Sequence, residues 1–322
     1  MISTNNGTSK LISPVTLSSI GVSRSHANVL QMVGKDSIDL LHRISTNSLL
    51  DMQSNSAKFT ILTTEKGRIV DLILVQKIGS AEALVYVSPG QASKIKAWIE
   101  KFIIMDDVQV TEVSAIYSMV TVLFSKGYSS NDLDRPDSFD GISLICLADP
   151  FWKTKHAYRV CGRKEHVERY LLGFPSITEL TAESYDELRI LEGIPVHGKE
   201  LNEQFNPLEA GLSSFISFSK GCYVGQEVIA RIDTYKKLQK SLYGFFVNSS
   251  ERYDLVSDSK IYLREQIVGV VTSQRYSEMF QKGVALGLLD SDIQESEFEL
   301  QVGGLARCKI QRREIPSRTE AA

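Results

Sequence analysis

The sequence predicts an α+β fold that ends in a small antiparallel β-barrel. Across residues 27–240, strand-like and helix-like segments intermingle without a regular βαβ repeat, which favours an α+β arrangement over a doubly wound sheet. Beyond residue 240, short alternating apolar segments with glycines between or inside them indicate a closed or nearly closed barrel of about seventy residues. The length of 322 residues exceeds one ordinary core and suits two or three domains.

The first predicted elements are a strand and an amphipathic helix. Residues 29–34 form an apolar run that ends at a glycine, as a short strand does. We expect Asp36 to cap the following helix, which places apolar residues 38, 41 and 44 on one face. The polar run at 45–48 then ends the helix, because its side chains compete for backbone hydrogen bonds.

A β-hairpin is predicted next. Its strands fall at residues 58–64 and 68–76, and Gly67 supplies the positive φ that such a turn often needs. Asp71 is an acid inside the apolar return strand. It is either an outward-facing surface acid or a carboxylate aimed into a pocket, and the pattern leaves both interpretations open.

The remaining elements follow in the same irregular order. Further strands are predicted at residues 83–87, 108–113, 117–124, 141–147 and 157–161. Helices are predicted after Ser88-Pro89 and at residues 164–172 and 179–192. The barrel strands are predicted at residues 241–247, 260–263, 267–274, 284–289, 298–302 and 305–310. The sequence contains no Gly-x-Gly-x-x-Gly motif and no phosphate loop, so a nucleotide-binding function has no support.

The composition is that of a soluble globular protein. Apolar residues make up 43% of the chain and charged residues 23%. The longest apolar runs, such as residues 72–75, fall far short of the about 20 residues of a transmembrane helix. The polar N-terminus matches neither a secretory signal nor a transit peptide. We therefore expect a cytoplasmic protein with a flexible tail at residues 1–26 and a loose tail at residues 313–322.

The net charge argues against a nucleic-acid-binding protein, and the spacing of the cysteines and histidines argues against a metal-binding protein. The net charge of −3 gives no electrostatic reason to expect nucleic acid as the main partner. The four cysteines and five histidines are scattered, without a Cys-x-x-Cys or Cys/His cluster. We therefore expect no metal site held by this chain alone, and reduced thiols as in a cytosolic compartment.

Residues 219–231 concentrate more chemistry than any other stretch. Lys220 stands two residues before Cys222, and a nearby ammonium favours the thiolate form of a cysteine. A helix beginning after Gly225 would add its positive end, and Arg231 would lie one turn beyond Glu227. Cysteine is also often a small buried apolar residue. The pattern therefore leaves both an activated cysteine and a structural one open.

The run from Lys220 to Arg231, Lys-Gly-Cys-Tyr-Val-Gly-Gln-Glu-Val-Ile-Ala-Arg, resembles the signature of the YgfZ-type proteins. These are folate-binding, aminomethyltransferase-related proteins linked to iron–sulfur cluster assembly and repair. Residues 34–47, 64–71, 188–195 and 207–212 resemble other segments of the same family, in the same order. The resemblance covers roughly residues 27–312.

The resemblance implies a three-lobed, aminomethyltransferase-like fold around a central hole for tetrahydrofolate or a one-carbon derivative of it. Two lobes would come from residues 27–240 and the third from a barrel at residues 241–312. Cys222 and Asp71 would carry the chemistry. The implied folate-binding residues are Asp71, Asn47, Arg68, Arg189, Lys220, Tyr223, Gln226, Glu227 and Arg231.

One departure weakens the similarity to the T-protein of the glycine cleavage system, a relative of this family. Its Arg-Leu-Glu run places a pterin-binding glutamate where this chain has Leu191, and Glu192 is displaced by one residue. On a helix that displacement is a rotation of about 100°. The resemblance therefore favours the iron–sulfur function over an aminomethyltransferase.

Three functions remain open from the sequence. The first is a folate-binding factor in iron–sulfur cluster assembly or repair that depends on Cys222. One thiol cannot hold a cluster alone, so assembly proteins or client enzymes would supply the other ligands. The alternative is a folate-dependent aminomethyl or methyl transferase whose chemistry depends on Asp71. A scaffold with a vestigial folate hole is the third.

Overall fold

We describe the protein from a computed structural model. It describes residues 20–24, 27–124, 138–139, 142–153, 156–174, 176–235, 237–248, 259–294, 297–302 and 306–313. The strands are β1 Ile20–Ser23, β2 Asn28–Val33, β3 Ser56–Thr63, β4 Ile69–Gly79, β5 Glu82–Val87, β6 Gln109–Glu112, β7 Tyr117–Phe124, β8 Ser138–Phe139, β9 Ile142–Ala148, β10 His156–Arg163, β11 Ile177–Glu179, β12 Lys240–Asn248, β13 Lys260–Leu263, β14 Gln266–Ser277, β15 Lys282–Asp290, β16 Glu297–Val302 and β17 Ala306–Arg313. The α-helices are α1 Ser37–Ile44, α2 Ala92–Glu100, α3 Lys164–Leu171, α4 Ala182–Glu192 and α5 Gln226–Tyr235.

The first lobe is a five-stranded antiparallel sheet in the order β3-β4-β5-β2-β6. Its strands direct apolar residues toward both faces of the sheet, and both faces are buried. One face packs with α1 and α2 through residues that include Leu41 and Ile95. The other face carries Phe59, Leu74 and Tyr86 into a second core cluster at the centre of the molecule.

The second lobe is a six-stranded sheet in the order β11-β1-β7-β10-β9-β8. Its outer face packs on α3, where Val120 and Val160 meet Val167 and Tyr170. Its inner face faces the same central cluster as the first sheet. The two sheets thus turn one face each toward a common interior.

Two short strands of this second sheet differ from the sequence predictions. Ile20–Ser23 lies within the predicted N-terminal tail, yet it forms β1 because Ile20 and Val22 are fully buried in the sheet core. Residues Ile177–Glu179 form β11 parallel to β1, so the helix predicted from residue 179 begins at Ala182. Strands this short carry too few residues for a periodic pattern.

The third lobe is the predicted antiparallel barrel. It closes in the order β12-β15-β14-β13-β16-β17, around an interior that includes Phe245, Val271 and Ile310. Its last strand reaches Arg313, the first residue of the predicted C-terminal tail, and residues 314–322 lie outside the described part of the chain. The α+β class and the C-terminal barrel are therefore confirmed, whereas the domain limits remain a prediction.

Helix α4 joins the barrel to the two sheets. Ile190 and Leu191 pack against Val284 and Leu286 of the barrel. Arg313 of β17 donates hydrogen bonds to the carbonyl oxygens of Leu191 at 2.9 Å and Ile190 at 3.0 Å, near the C-terminus of α4. Both carbonyls belong to the last turn of α4, where intrahelical donors run out, so the barrel strand helps to cap the helix; the carbonyl of Ile190 also accepts from the backbone N–H of Gly193 at 3.2 Å.

Two smaller observations complete the fold. Asp36 precedes α1, but its carboxylate accepts a hydrogen bond from the backbone N–H of Asp107 and makes no side-chain cap, which corrects the predicted capping role. Among the described residues, each helix is too short or too polar to cross a bilayer.

Candidate functional site

A cavity of about 730 Å³ lies where the three lobes meet. The first sheet contributes Phe59, Leu72, Leu74 and Tyr86, the second sheet contributes Ser23, Met119 and Arg159, helix α4 contributes Tyr185, Asp186 and Arg189, and the barrel contributes Arg275. The loop after α4 adds residues 194–197, Lys199 and Leu201. The walls are mainly apolar, with polar groups at a few positions, as in sites that bind small molecules.

Asp71 lies directly behind the cavity wall. It is fully buried on β4 and is not itself among the cavity-lining residues. Its carboxylate accepts hydrogen bonds from the backbone N–H of Ser88 at 2.9 Å and from the Ser88 hydroxyl at 2.6 Å. Ser88 lines the cavity at the end of β5. Of the two interpretations left open for Asp71, the outward surface acid is therefore wrong.

His197 connects Asp71 to the cavity. Its Nδ1 lies 3.4 Å from Oδ1 of Asp71, and the ring lines the cavity. Glu200 fixes the His197 loop by accepting a hydrogen bond from the backbone N–H of Val196 at 3.1 Å. A buried carboxylate beside an imidazole is an arrangement that can hold or move a proton at the cavity surface.

Sequence reasoning did not identify His197 or Ser88 as site residues. They lie 109 residues apart in the chain and come to Asp71 from different segments. The only local signals are the end of a strand at Ser88 and a loop after the Gly-Ile-Pro run at residues 193–195.

Arg189, which was predicted to contact folate, lines the cavity, but its guanidinium forms hydrogen bonds within the protein. Its nitrogens hydrogen-bond to Asp186 at 2.7 Å, Glu200 at 3.2 Å, Ser273 at 2.8 Å and the carbonyl oxygen of Ile194 at 3.3 Å. Because Glu200 also accepts hydrogen bonds from the barrel residues Thr272 and Ser273, this network ties α4 to the barrel. The bonds indicate a structural role for Arg189.

In the structure too, an apolar residue occupies the position of the T-protein glutamate. Leu191 packs into the cluster that joins α4 to the barrel. Glu192 accepts a hydrogen bond from the backbone N–H of Lys153 at 3.0 Å. Neither residue lines the cavity.

Residues 219–225, which we call the Cys222 loop, lie on the surface. Cys222 is exposed and does not line the cavity. The Lys220 ammonium turns away into the end of α1, where it donates to the carbonyl oxygens of His42, Ser45 at 2.7 Å and Asn47 at 3.0 Å. Burial lowers the pKa of Lys220 to about 8. The expected ammonium–thiol pairing is therefore corrected, because the unpartnered carbonyls after α1 attract the cation.

The Cys222 loop also packs against the turn of the β3–β4 hairpin. Gly225 has φ +82°, and a Cβ atom there would lie 2.5 Å from the carbonyl oxygen of Thr64. The Thr63 hydroxyl donates to the carbonyl oxygen of Val224 at 2.6 Å. Helix α5 begins at the next residue, Gln226, which confirms the helix predicted after Gly225. Two sequence motifs thus meet through their backbones.

The other predicted folate-binding residues also surround this loop. Asn47 donates to the carbonyl oxygen of Phe59 at 2.8 Å, and Arg68 donates to that of Gln204 at 2.9 Å. Gln226, Glu227 and Arg231 lie on α5. None of these five residues lines the cavity.

Tyr223 and Ile229 of the motif turn inward, and both belong to the central cluster. Burial raises the pKa of Tyr223 to about 12. Phe215 of the same cluster packs its ring 5.6 Å from that of Phe59 and 5.0 Å from that of Phe151, and both of these rings line the cavity. Tyr223 therefore shares a core cluster with the cavity-lining rings of Phe59 and Phe151, but it does not itself line the cavity.

Two parts of the chain match known protein families. Residues 18–126 match the GCVT N-terminal domain, and residues 240–314 match the glycine cleavage T-protein C-terminal barrel domain. The chain is 24% identical to an aminomethyltransferase of Thermoanaerobacter pseudethanolicus, covering 83% of this chain and 77% of that protein. It is 23% identical to an aminomethyltransferase of Staphylococcus carnosus, covering 91% of this chain and 83% of that protein.

A solved structure has the same fold. The crystal structure of glycine cleavage system aminomethyltransferase T from Bartonella henselae superposes with a TM-score of 0.74 at 15% identity, covering 94% of this chain and 86% of that one. The two matched domains together span more than half of the sequence, in the order that the fold requires. The chain therefore contains the N-terminal domain and the C-terminal barrel domain of T-protein-like, aminomethyltransferase-related proteins.

Proposed function

We propose that this protein binds tetrahydrofolate, or a one-carbon derivative of it, in the central cavity and catalyses transfer of an aminomethyl or methyl group. The names of its relatives support this class of reaction. The single observation that carries the proposal is the cluster in which buried Asp71 holds Ser88 and stands beside His197 at the cavity wall. We expect the protein to act in the cytoplasm.

The cavity residues fit the proposed cofactor. The volume of about 730 Å³ falls within the range of roughly 300–1,000 Å³ that small-molecule sites occupy. Phe59, Tyr86 and Phe151 provide aromatic surface for a flat heteroaromatic ring. Bound tetrahydrofolate would supply the nitrogen atoms that take up the one-carbon unit.

The protein would supply the proton transfer. His197 would take a proton from an amine of the reacting pair and return it when the product forms. Asp71 would act as a positioning residue, because its carboxylate holds the Ser88 hydroxyl and lies beside the His197 ring. Asp71 is enclosed by these partners, which supports a role through them and not by direct contact with the substrate.

The test combines binding and turnover. Calorimetry should detect tetrahydrofolate binding by the wild-type protein. An assay should detect methylene-tetrahydrofolate from an aminomethyl donor or methyl-tetrahydrofolate from a methyl donor. Asp71→Asn should reduce turnover by roughly a hundredfold. The matched control is Asp51→Asn, which alters an exposed acid paired with Lys58. Full turnover by Asp71→Asn, or no folate binding by the wild type, would refute the proposal.

A second function has one observation in its favour. Cys222 is exposed on a loop that Lys220 and Gly225 anchor firmly, which suits a thiol offered to another molecule. Under this proposal the chain is a YgfZ-type protein that acts in iron–sulfur cluster assembly or repair. Assembly proteins or client enzymes would supply the remaining ligands.

Complementation separates this second function from the first. A strain that lacks its own YgfZ-type protein would be rescued for [4Fe–4S] enzyme activity by the wild-type chain and not by Cys222→Ser. Ser219→Ala, an exposed substitution in the same loop, is the control and should rescue fully. Equal rescue by Cys222→Ser would exclude a role for the thiol in cluster maturation.

A further inference from the structure

Arg159 lies on the cavity wall opposite Asp71, in a row of polar side chains across the second sheet. In the strand register, Ser23 of β1 pairs with Thr121 of β7, and Thr121 pairs with Arg159 of β10. Side chains that pair directly share a face of the sheet. Ser23 and Arg159 both line the cavity, so Thr121 lies on the same face of the sheet, although it is fully buried and is not itself among the cavity-lining residues.

The protein engages only part of the Arg159 guanidinium. Its Nε donates to Oδ2 of Asp149 at 2.6 Å. Oδ1 of Asp149 accepts from the backbone N–H of Phe151 at 3.1 Å, so this carboxylate is not arranged as a two-pronged partner. Among the described residues, the two terminal nitrogens of Arg159 have no hydrogen-bond acceptor, which leaves four N–H donors available.

The other buried or paired arginines of the cavity provide an internal comparison. Arg24 uses all three of its nitrogens on Glu168 and Glu179. Arg189 likewise uses all three, on Asp186, Glu200 and neighbouring oxygens. Arg159 differs although it is only 8% exposed. Arg275, which also lines the cavity, has an Nε that lies 3.5 Å from Oδ2 of Asp186 without a hydrogen bond, so Arg159 shares open donors with Arg275 but not with Arg24 or Arg189.

Thr121 adds a second unsatisfied group beside Arg159. It is fully buried, and its Oγ1 has no hydrogen-bond partner among the described residues. A buried polar group without a partner is destabilising, so most such groups are matched by water or by a ligand. The open donors of Arg159 at the cavity wall and the hydroxyl of its strand neighbour Thr121 together point to an acceptor that binds at Arg159 and reaches that hydroxyl.

We propose that Arg159 and Thr121 form a carboxylate-binding subsite of the cavity. The two terminal nitrogens of a guanidinium match the two oxygens of a planar carboxylate, and a neighbouring hydroxyl can donate a third hydrogen bond. This inference rests on the proposed function and deepens it. The wall that carries His197 would transfer protons, and the wall that carries Arg159 would orient an acidic substrate.

Two sources can supply the carboxylate. One is the glutamyl tail of tetrahydrofolate, and the other is a separate small carboxylic acid that donates the one-carbon unit. Both present the same planar oxyanion to Arg159. The experiment therefore uses tetrahydrofolate, 6-methyltetrahydropterin, which lacks any carboxylate, and acetate as the minimal acid.

Two variants and a conservative control test the subsite by calorimetry in a carboxylate-free buffer. Arg159→Lys retains the positive charge near Asp149 and removes the planar fork. Thr121→Val removes the hydroxyl at nearly constant volume and, because that hydroxyl has no described partner, should leave the melting temperature unchanged or higher. Thr121→Ser retains a hydroxyl and should bind like the wild type.

The expected result is a loss of roughly tenfold in affinity for the carboxylate-bearing probe in both test variants, with 6-methyltetrahydropterin unaffected. Weaker tetrahydrofolate binding assigns the subsite to the glutamyl tail. Weaker acetate binding to the tetrahydrofolate-loaded protein assigns it to a separate acid.

The proposal is overturned if Thr121→Val and folded Arg159→Lys bind every probe as the wild type does, in which case water alone satisfies these groups. That outcome leaves the proposed function intact, since folate still binds. Conversely, variant-sensitive acetate binding without any folate binding would retain the subsite and reject tetrahydrofolate as the cofactor.

Discussion

The cavity wall and the Cys222 loop are built in opposite ways. The polar groups of the wall come from separate segments, with Asp71 on β4, Ser88 after β5 and His197 after α4. The loop is one continuous stretch, held by the Lys220 side chain at the end of α1 and by the close approach of Gly225 to the hairpin turn. The Cys222 loop is therefore the more recognisable feature of the sequence, yet it does not line the cavity. The loop and the cavity wall can be tested independently.

The largest effect is expected from Gly225→Ala. The added Cβ would meet the carbonyl oxygen of Thr64 at 2.5 Å, and φ of +82° is strained for any side chain. We expect a loss of about 2–4 kcal/mol in the free energy of unfolding, measured by urea denaturation. Gly221→Ala is the matched control, because a Cβ there would have nothing within 4 Å. Equal stability of the two variants would show that the loop is not anchored at the hairpin.

His197→Gln should affect the cavity wall and leave the loop unchanged. Glutamine retains a polar group but cannot exchange a proton near neutral pH, so we expect roughly a hundredfold lower turnover with little change in unfolding free energy. His166→Gln on α3 serves as the control. A variant that loses tetrahydrofolate binding in proportion to turnover would indicate that His197 binds and does not catalyse.

Lys220→Met should reveal the buried cation through pH. The pKa of Lys220 is about 8 in the folded protein, below the unfolded value of 10.5. Between these two pH values the unfolded chain holds more protons than the folded one, so wild-type stability rises with pH relative to the variant. Unfolding midpoints from pH 7 to 10.5 measure this difference. If the stability of the wild type relative to the variant instead falls with rising pH, the carbonyl contacts outweigh burial and the pKa of Lys220 is not lowered.

The smallest effect is expected from Cys222→Ala. Since Cys222 is exposed and does not line the cavity, tetrahydrofolate affinity should remain within about twofold of the wild type by calorimetry. Tyr223→Phe provides the contrast within the same motif, because Tyr223 reaches the central cluster. A marked loss of folate affinity in Cys222→Ala would break the distinction between loop and cavity.

Sequence reasoning predicted the elements whose signal is local. The β3–β4 hairpin, the helix after Gly225 and the alternating barrel strands each carry their pattern within a few residues. It missed the partner of Lys220, because the carbonyl of Ser45 lies 175 residues away in the chain. It also missed His197 and Arg159, since an ordinary histidine and an ordinary strand arginine acquire their significance only from tertiary neighbours.

The bonds from Arg313 to the carbonyl groups of Ile190 and Leu191 have a consequence for biosynthesis. Helix α4 forms part of the cavity wall, yet a residue on the last barrel strand caps it. A nascent chain can assemble both open sheets before this strand emerges from the ribosome. A cavity competent for ligand should therefore form only near the end of synthesis, and a chain truncated before Arg313 should fold its sheets without closing the site.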